Sequence, residues 1–434
     1  MGKYPTEPLK CWKKAKELRN RFYQNYALAG EKGGLRWMGS AWAFDAVPSG
    51  LGDDVFCISG ESYGAACAFD RPLSKKFLEA ARNFGFSRDL CAHMRNYWGS
   101  LLADESAFGG KFVKPDFGWS QHICCSHAKW YQNAAQMKGE VPIFVVDVGV
   151  GAYPPFEPKM YPHRIKYVAD QLLDGIEWLK TTTGREFDDE RFINAAWNDL
   201  RSTHKWAQIC MLNRAKPAPL DEKSLYSFYV FGTLQKSNSE FADFYDELYD
   251  EVKDRVDRGI AAVHNERFRV MSDIGSPWGF SDIYRHMAEQ GVVSIGSLYT
   301  FGLEGMWLYD AQTHDLLPRP LPDSKPRTRE ECCTLLADWH LSKPMYQNFY
   351  HPDNKTKMMD AIARRWDTDG IVLHYNRGCR GLCMGIAETR LGLIERGHRV
   401  VAYEGNMGDE NEFDQAATRK RMDIFMEGLG CKIN

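Results

Sequence analysis

Twelve cysteines in a chain of 434 residues are the side chains best able to do chemistry. In a large protein kept in a reducing compartment, disulfides explain them poorly. Several read as small buried hydrophobes. Cys379-Arg-Gly-Leu-Cys383 opens a helix after a strand. There, backbone N–H groups and the helix dipole favour a thiolate, the state that a metal or cluster ligand needs. A helix-capping cysteine followed by a buried one has the same spacing. The pair Cys124-Cys125 follows a strand and precedes Ser126-His-Ala-Lys; it fits a buried structural pair as well as a ligand. Cys91, in Leu90-Cys-Ala-His-Met-Arg, fits a core position. Cys332 and Cys333 lie on an amphipathic helical pattern and read as core, and Cys11, Cys57, Cys67, Cys210 and Cys431 form no pattern. Gly275-Ser-Pro, between a strand and a helix, fits an anion-binding turn and equally a plain one.

Other chemistries leave no trace in the sequence. It contains no Walker A stretch, no GxGxxG after a strand, no GxSxG, no HExxH and no compact ferredoxin-type cysteine run. ATP hydrolysis by this chain alone is therefore not expected. The net charge of −3 gives no electrostatic support for a nucleic-acid partner. The longest strongly apolar stretch, Val141 to Val146, is broken by Asp147 and is too short to span a bilayer. The first twenty residues are too charged for a secretory signal, so the chain reads as cytoplasmic, with no membrane partner.

The elements that must hold these cysteines alternate. Residues 1–35 read as a helical lead-in. Apolar runs near 36–44, 54–59, 117–124 and 141–147 read as buried strands with helices between most of them. Residues 161–265, rich in Lys, Glu, Asp, Leu and Tyr, carry apolar positions at helical spacing and read as long connecting helices. Strand and helix alternate again over 266–434, ending in a βαβ unit whose first strand is Gly370-Ile-Val-Leu-His. The expected fold is α/β: a first domain over 36–160 and a second over 266–434, similar and doubly wound, each with a short parallel sheet of about four strands. Ligands of such sheets sit beyond the carboxyl ends of the strands. That rule selects Cys124, Cys125, the Gly275 turn, 376–383 and 404–409.

Together these residues resemble the family of 2-hydroxyacyl-CoA dehydratase and benzoyl-CoA reductase subunits, from about residue 36 to residue 430. The resemblance runs through Trp37-Met-Gly-Ser, Val47-Pro and Val55-Phe-Cys-Ile to Leu90-Cys-Ala-His-Met-Arg-Asn-Tyr-Trp-Gly. It continues through Cys125-Ser-His-Ala-Lys, Ile274-Gly-Ser-Pro, Cys379 to Gly397, Glu404-Gly-Asn-Met-Gly-Asp and Arg421-Met-Asp-Ile-Phe-Met-Glu. Gly-Cys-Arg-Gly and Glu-Gly-Asn-Met look closest to the larger cluster-bearing subunit of benzoyl-CoA reductase.

In that family three cysteines hold one [4Fe–4S] cluster whose fourth iron has no cysteine. Carried over, the ligands are Cys91, Cys125 and Cys379, with the cluster between the two α/β domains. Ser126 stands where the family usually has Asp, which keeps Cys124 as the alternative to Cys125; Lys129 falls in register with Cys125. The resemblance implies an ATP-dependent reductase subunit that dearomatises benzoyl-CoA to a cyclic dienoyl-CoA by single-electron transfer. Its alternatives are a radical 2-hydroxyacyl-CoA dehydratase subunit and a non-catalytic scaffold. The implied partners are a homologous cluster-bearing subunit, a two-part ATPase that holds the ATP, and a ferredoxin. His93, His122 and His127 are the candidate proton donors, and Gly275 and Ser276 the candidate contacts to acyl-CoA. Trp119, Trp130 and Tyr375 are candidates for a partner-facing surface, or else for the domain cores.

Overall fold

Short apolar runs separated by helices pair as parallel strands, because only a crossover returns the chain to the same edge. In the computed structural model, which describes residues 3–149, 161–273, 275–310, 315–347, 352–379 and 381–433, eight such strands form two sheets. The first holds β1 (Leu35–Gly39), β2 (Val55–Ser59), β3 (Phe117–His122) and β4 (Ile143–Asp147) in the order β2-β1-β3-β4. The second holds β5 (Phe268–Ser272), β6 (Val292–Ser297), β9 (Gly370–Asn376) and β10 (Val400–Gly405) in the order β10-β9-β5-β6. Every pairing in both sheets is parallel. Counted within its own sheet, each order is 2-1-3-4. The direction of winding therefore reverses between the first and third strands, and the crevice of each sheet opens there.

Within the first sheet, β1 and β3 approach closely, backbone to backbone. A methyl group on Gly39 would stand 1.9 Å from the Trp119 carbonyl oxygen, so β1 and β3 meet only because no side chain intervenes. The first run was expected to continue to residue 44 but stops at Gly39; residues 40–45 form the connection at the crevice mouth. The third run likewise ends at His122, leaving Cys124 in the following turn.

Residues 161–265 form four helices: Tyr161–Thr183, Asp189–Leu212, Glu222–Gln235 and Ser239–Asp257. The starts of the last three are set by Asp188, Asp221 and Asn238, whose side chains accept backbone N–H groups of the first turn. On Ser239–Asp257 the residues Phe241, Phe244, Tyr245, Leu248 and Val252 are buried, the three- and four-residue spacing of one helix face. Each buried side chain of that size contributes about 1.5–3 kcal/mol. The N-terminal helix Trp12–Leu28 docks on the same helix through Arg21–Glu240 at 2.7 Å and Lys14–Glu247.

A ribbon of β7 (Trp307–Asp310) and β8 (Asp315–Pro318), antiparallel, was not expected from the sequence. Trp119 and Trp130 are core residues rather than a partner-facing surface: Trp119 stacks on Phe144 at 5.2 Å, and both side chains are fully buried. Tyr375 is half-buried. Among the described residues, no helix is long and apolar enough to cross a membrane.

Candidate functional site

The crevice ends of the two sheets face a common cavity. From the first half it is lined by Trp42 after β1, Glu61 in the helix Gly60–Phe69 after β2, Cys91 and His93 at the start of Ala92–Ala103, and Cys124 and His127 after β3. The second half adds Tyr299 after β6, Cys379 and Leu382 after β9, and Met407 after β10. Three thiols, of which Cys379 lies 255 residues beyond Cys124, thus border one space: Cys124 and Cys379 follow the carboxyl ends of β3 and β9, and Cys91 opens the helix Ala92–Ala103.

The three thiols share a local geometry. The N–H groups of His93 and Met94 point at the Cys91 sulfur, those of Ser126 and His127 at Cys124, and that of Leu382 at Cys379. Each sulfur therefore sits over the first N–H groups of a helix or turn, donors that favour negative sulfur. Burial works the other way and dominates at two of them: it pushes Cys91 up and Cys124 up to about 12. Cys379 is raised first by its hydrogen bond with Cys383 and then by burial, so in that pair Cys379 keeps the proton. Among the described residues, no group of three His, Cys, Asp or Glu side chains is arranged to hold a single metal ion. Ligands of a multi-iron cluster bind different irons and stand further apart, and soft thiolates in an apolar wall suit such a cluster. The donor set fits an iron–sulfur cluster in its chemistry.

The adjacent cysteines part company here. Cys124 lines the cavity, whereas Cys125 is exposed and lies outside its lining. The preference for Cys125 on account of Lys129 is therefore not what the geometry favours. In a tight turn, neighbouring side chains point in different directions, and only one can face the crevice.

The histidines also separate. His93 lines the cavity, and its Nε2 accepts a hydrogen bond from the Trp278 indole at 2.6 Å. Burial pushes it down to about 4 against the opposing charge of Glu61, so it is neutral near pH 7. His127 pairs through Nε2 with Glu61 Oε1, while its Nδ1 is buried without a hydrogen-bond partner. Glu61 also accepts the Ala41 N–H at 2.8 Å and the Tyr131 hydroxyl at 3.3 Å. Burial raises its carboxyl, but the charge and hydrogen bond of His127 outweigh that and hold it below the usual range. His122, at the exposed end of β3, lies 3.5 Å from Asp147 and is not part of the cavity.

Gly275 and Ser276 are buried beyond β5 and do not border the cavity; Ile274 of that turn lies outside the described residues. The Gly275 N–H donates to Asp273 Oδ1 at 3.3 Å. A turn that already serves a buried carboxylate is poorly suited to hold an anionic acyl-CoA.

Sequence reasoning missed Glu61, Trp42 and Tyr299. Glu61 left one signal, an acidic residue in the first turn of an otherwise apolar helix behind a strand. Trp42 and Tyr299 left none.

The family described as 2-hydroxyglutaryl-CoA dehydratase, D-component, matches residues 41–429. Among similar proteins, the (R)-phenyllactyl-CoA dehydratase alpha subunit of Clostridium sporogenes is 24% identical over 376 residues, 86% of this chain and 84% of that protein. The (R)-2-hydroxyisocaproyl-CoA dehydratase alpha subunit of Clostridioides difficile is 23% identical over 393 residues, 89% of each. The (R)-2-hydroxyglutaryl-CoA dehydratase subunit alpha of Acidaminococcus fermentans is 21% identical over 319 residues, 73% of this chain and 60% of that protein. The family match covers every residue of the cavity and every strand of the two sheets except β1, and the chain belongs to the family of the 2-hydroxyglutaryl-CoA dehydratase D-component.

Proposed function

We propose that this chain is a subunit of a 2-hydroxyacyl-CoA dehydratase that carries one [4Fe–4S] cluster on Cys91, Cys124 and Cys379. The observation that supports it best is the meeting of these three thiols on one cavity, each over backbone N–H donors. The similar proteins named above are dehydratase subunits, which favours this reading over the ring reductase that the resemblance first suggested. The net reaction removes water from a 2-hydroxyacyl-CoA to give an enoyl-CoA, so the enzyme class is a lyase and not an oxidoreductase.

When bound, a [4Fe–4S] cluster would supply a single low-potential electron to the thioester carbonyl. This chain's own residues handle protons and water. With Nε2 turned to Glu61, a neutral His127 presents a lone pair at Nδ1 and a protonated one presents an N–H. Glu61 fixes the ring and stabilises its cation, the arrangement of an oriented general base. His93, neutral and held by Trp278, shapes the wall and is the weaker proton carrier. Trp42, Trp130, Tyr299 and Leu303 keep bulk water from the thiols.

The partners that fit are a second, related subunit, an ATP-hydrolysing activator and a ferredoxin as electron source, since the sequence carries no phosphate-binding loop of its own. The test is electron stoichiometry in the anaerobically assembled complex. Dehydration is redox-neutral, so many molecules of enoyl-CoA should form per electron supplied. Consumption of two electrons per molecule, with a cyclic diene formed from benzoyl-CoA, would establish ring reduction instead. Iron and sulfide absent from the isolated chain after anaerobic purification would point to a scaffold.

A further inference from the structure

Behind the Trp42 wall lies a set of charges that this chemistry does not use. Lys236, Lys343, Asp199 and His340 are fully buried, and Asp45 and Glu304 nearly so. Lys236 Nζ donates to Asp45 Oδ1 at 2.6 Å and stands 3.9 Å from Asp199 Oδ2, which meets His340 Nε2 at 2.8 Å. Lys343 Nζ lies 3.6 Å from Glu304 Oε2, and neither of these two atoms makes a hydrogen bond. Buried ion pairs commonly cost as much in desolvation as they return in attraction. A cluster of this size is therefore poorly explained by stability alone.

The cluster reaches the cavity at one dipeptide. The Trp42 indole N–H donates to Glu304 Oε1 at 2.7 Å. The Ala41 carbonyl accepts from Lys236 Nζ at 3.5 Å, while the Ala41 N–H donates to Glu61 Oε2 at 2.8 Å. The segment carrying Trp42 is thus held on the cavity side by Glu61 and on the far side by Lys236 and Glu304. It lies at the crevice of the first sheet, where β1 ends.

We propose that Glu304 is a positioning residue of the cavity, which holds the Trp42 indole in the wall and sets the charge behind it. Burial pushes its carboxyl up to about 7 against the opposing charges of Lys343 and Lys236. The groups facing it are Lys343, Lys236 and Asp199, with Tyr229, Tyr245 and Tyr346 around them. The tyrosines are all raised, Lys236 is raised and Asp199 is lowered, so none of these changes charge near neutrality. Lys343 is lowered by burial and is the second group to test. Glu304 acts through Trp42 and itself lies outside the cavity lining.

The inference rests on the cavity being the active centre, and its first test does not depend on activity. Excitation moves electron density off the pyrrole ring of an indole, so a carboxylate at Nε1 lowers the emission energy. In the full, cluster-free chain, the Trp42 contribution is the difference between the parent and W42F. It should shift once to shorter wavelength on acidification between about pH 9 and 5. E304Q, whose amide oxygen still accepts the indole N–H, should show no shift. K343M should move the transition upward in pH and keep it. A parent with no transition, or an E304Q chain with the parent's transition, would overturn the proposal. In the assembled complex, Glu304→Leu should raise the acyl-CoA KM about tenfold with kcat within about twofold, and Glu304→Gln should restore KM. Equal KM in parent and Glu304→Leu would also overturn it. A complex inert toward every 2-hydroxyacyl-CoA, with the emission result intact, would fault the assigned reaction and leave the role of Glu304 standing.

Discussion

The two sheets have the same strand order and do different work. In each, a cysteine follows the third strand: Cys124 after β3 and Cys379 after β9. The crevices beside them differ. Where β1 ends, the chain turns into the Ala41–Trp42 segment that borders the cavity, beside the Glu61–His127 pair. Where β5 ends, the chain meets Asp273, whose Oδ1 accepts the His374 N–H at 3.1 Å and the Gly275 N–H at 3.3 Å, and whose carboxyl burial raises to about 6. The first crevice is open to the cavity and carries the Glu61–His127 pair. The second is filled by its own polar side chains and contributes a thiol and wall residues. Winding order decides where a site can be; the side chains at the strand ends decide what it can do.

The largest effect that could break this comparison concerns the thiols. Replacing Cys91, Cys124 or Cys379 by Ser should abolish most of the iron bound after anaerobic reconstitution, and Cys125→Ser should leave it. Iron retained by C124S and lost by C125S would end the equivalence of the third strands. Next in size, Glu61→Gln or His127→Asn should lower dehydration by about 10²–10⁴-fold with iron unchanged, the range for a general acid–base group. The same loss from Asp273→Asn, with Glu61→Gln active, would move the proton chemistry to the second crevice.

Smaller effects test packing. A methyl on Gly39 meets the backbone oxygen of Trp119 at 1.9 Å, whereas one on Gly275 meets the His374 ring at 2.8 Å. Gly39→Ala should therefore cost about 3 kcal/mol or more and Gly275→Ala about 1–2 kcal/mol, read from urea midpoints. Equal costs would show that the first sheet can spread as easily as the second.

The smallest effects are in pH dependence. His93 and His374 are both pushed down to about 4 by burial, below the value of about 6.5 in an unfolded chain. As pH falls through that window, the unfolded chain binds protons that the folded one refuses, so stability is lost. His93→Gln and His374→Gln should each gain stability relative to the parent at about pH 5 compared with pH 8. Glu222 has the opposite sign: burial raises it to about 8, and the parent loses stability as pH rises from about 4.5 through 8. Glu222→Gln should gain on the parent at about pH 9. A difference that stays flat with pH would show that these groups are more hydrated than their burial implies.

While Cys91 reads as a core position and is singled out by the family resemblance alone, the sequence by itself determined the alternation of strand and helix, the two parallel sheets, the helices between them and the placing of Cys124 and Cys379 beyond strand ends. Those features are local: apolar runs, caps and turns act over a few residues, and the carboxyl-end rule then places a site without knowledge of contacts. Only the tertiary structure separated Cys124, which lines the cavity, from the exposed Cys125, because neighbours in a turn share every local signal and differ in the direction they face. It alone brought Glu61 to His127 across 66 residues and Trp42 to Glu304 across 262. It alone gathered Lys236, Asp199, His340 and Lys343 into one buried cluster. A buried charge is tolerated only by the partners around it, and those partners come from distant parts of the chain, so no window of sequence contains the reason for its presence.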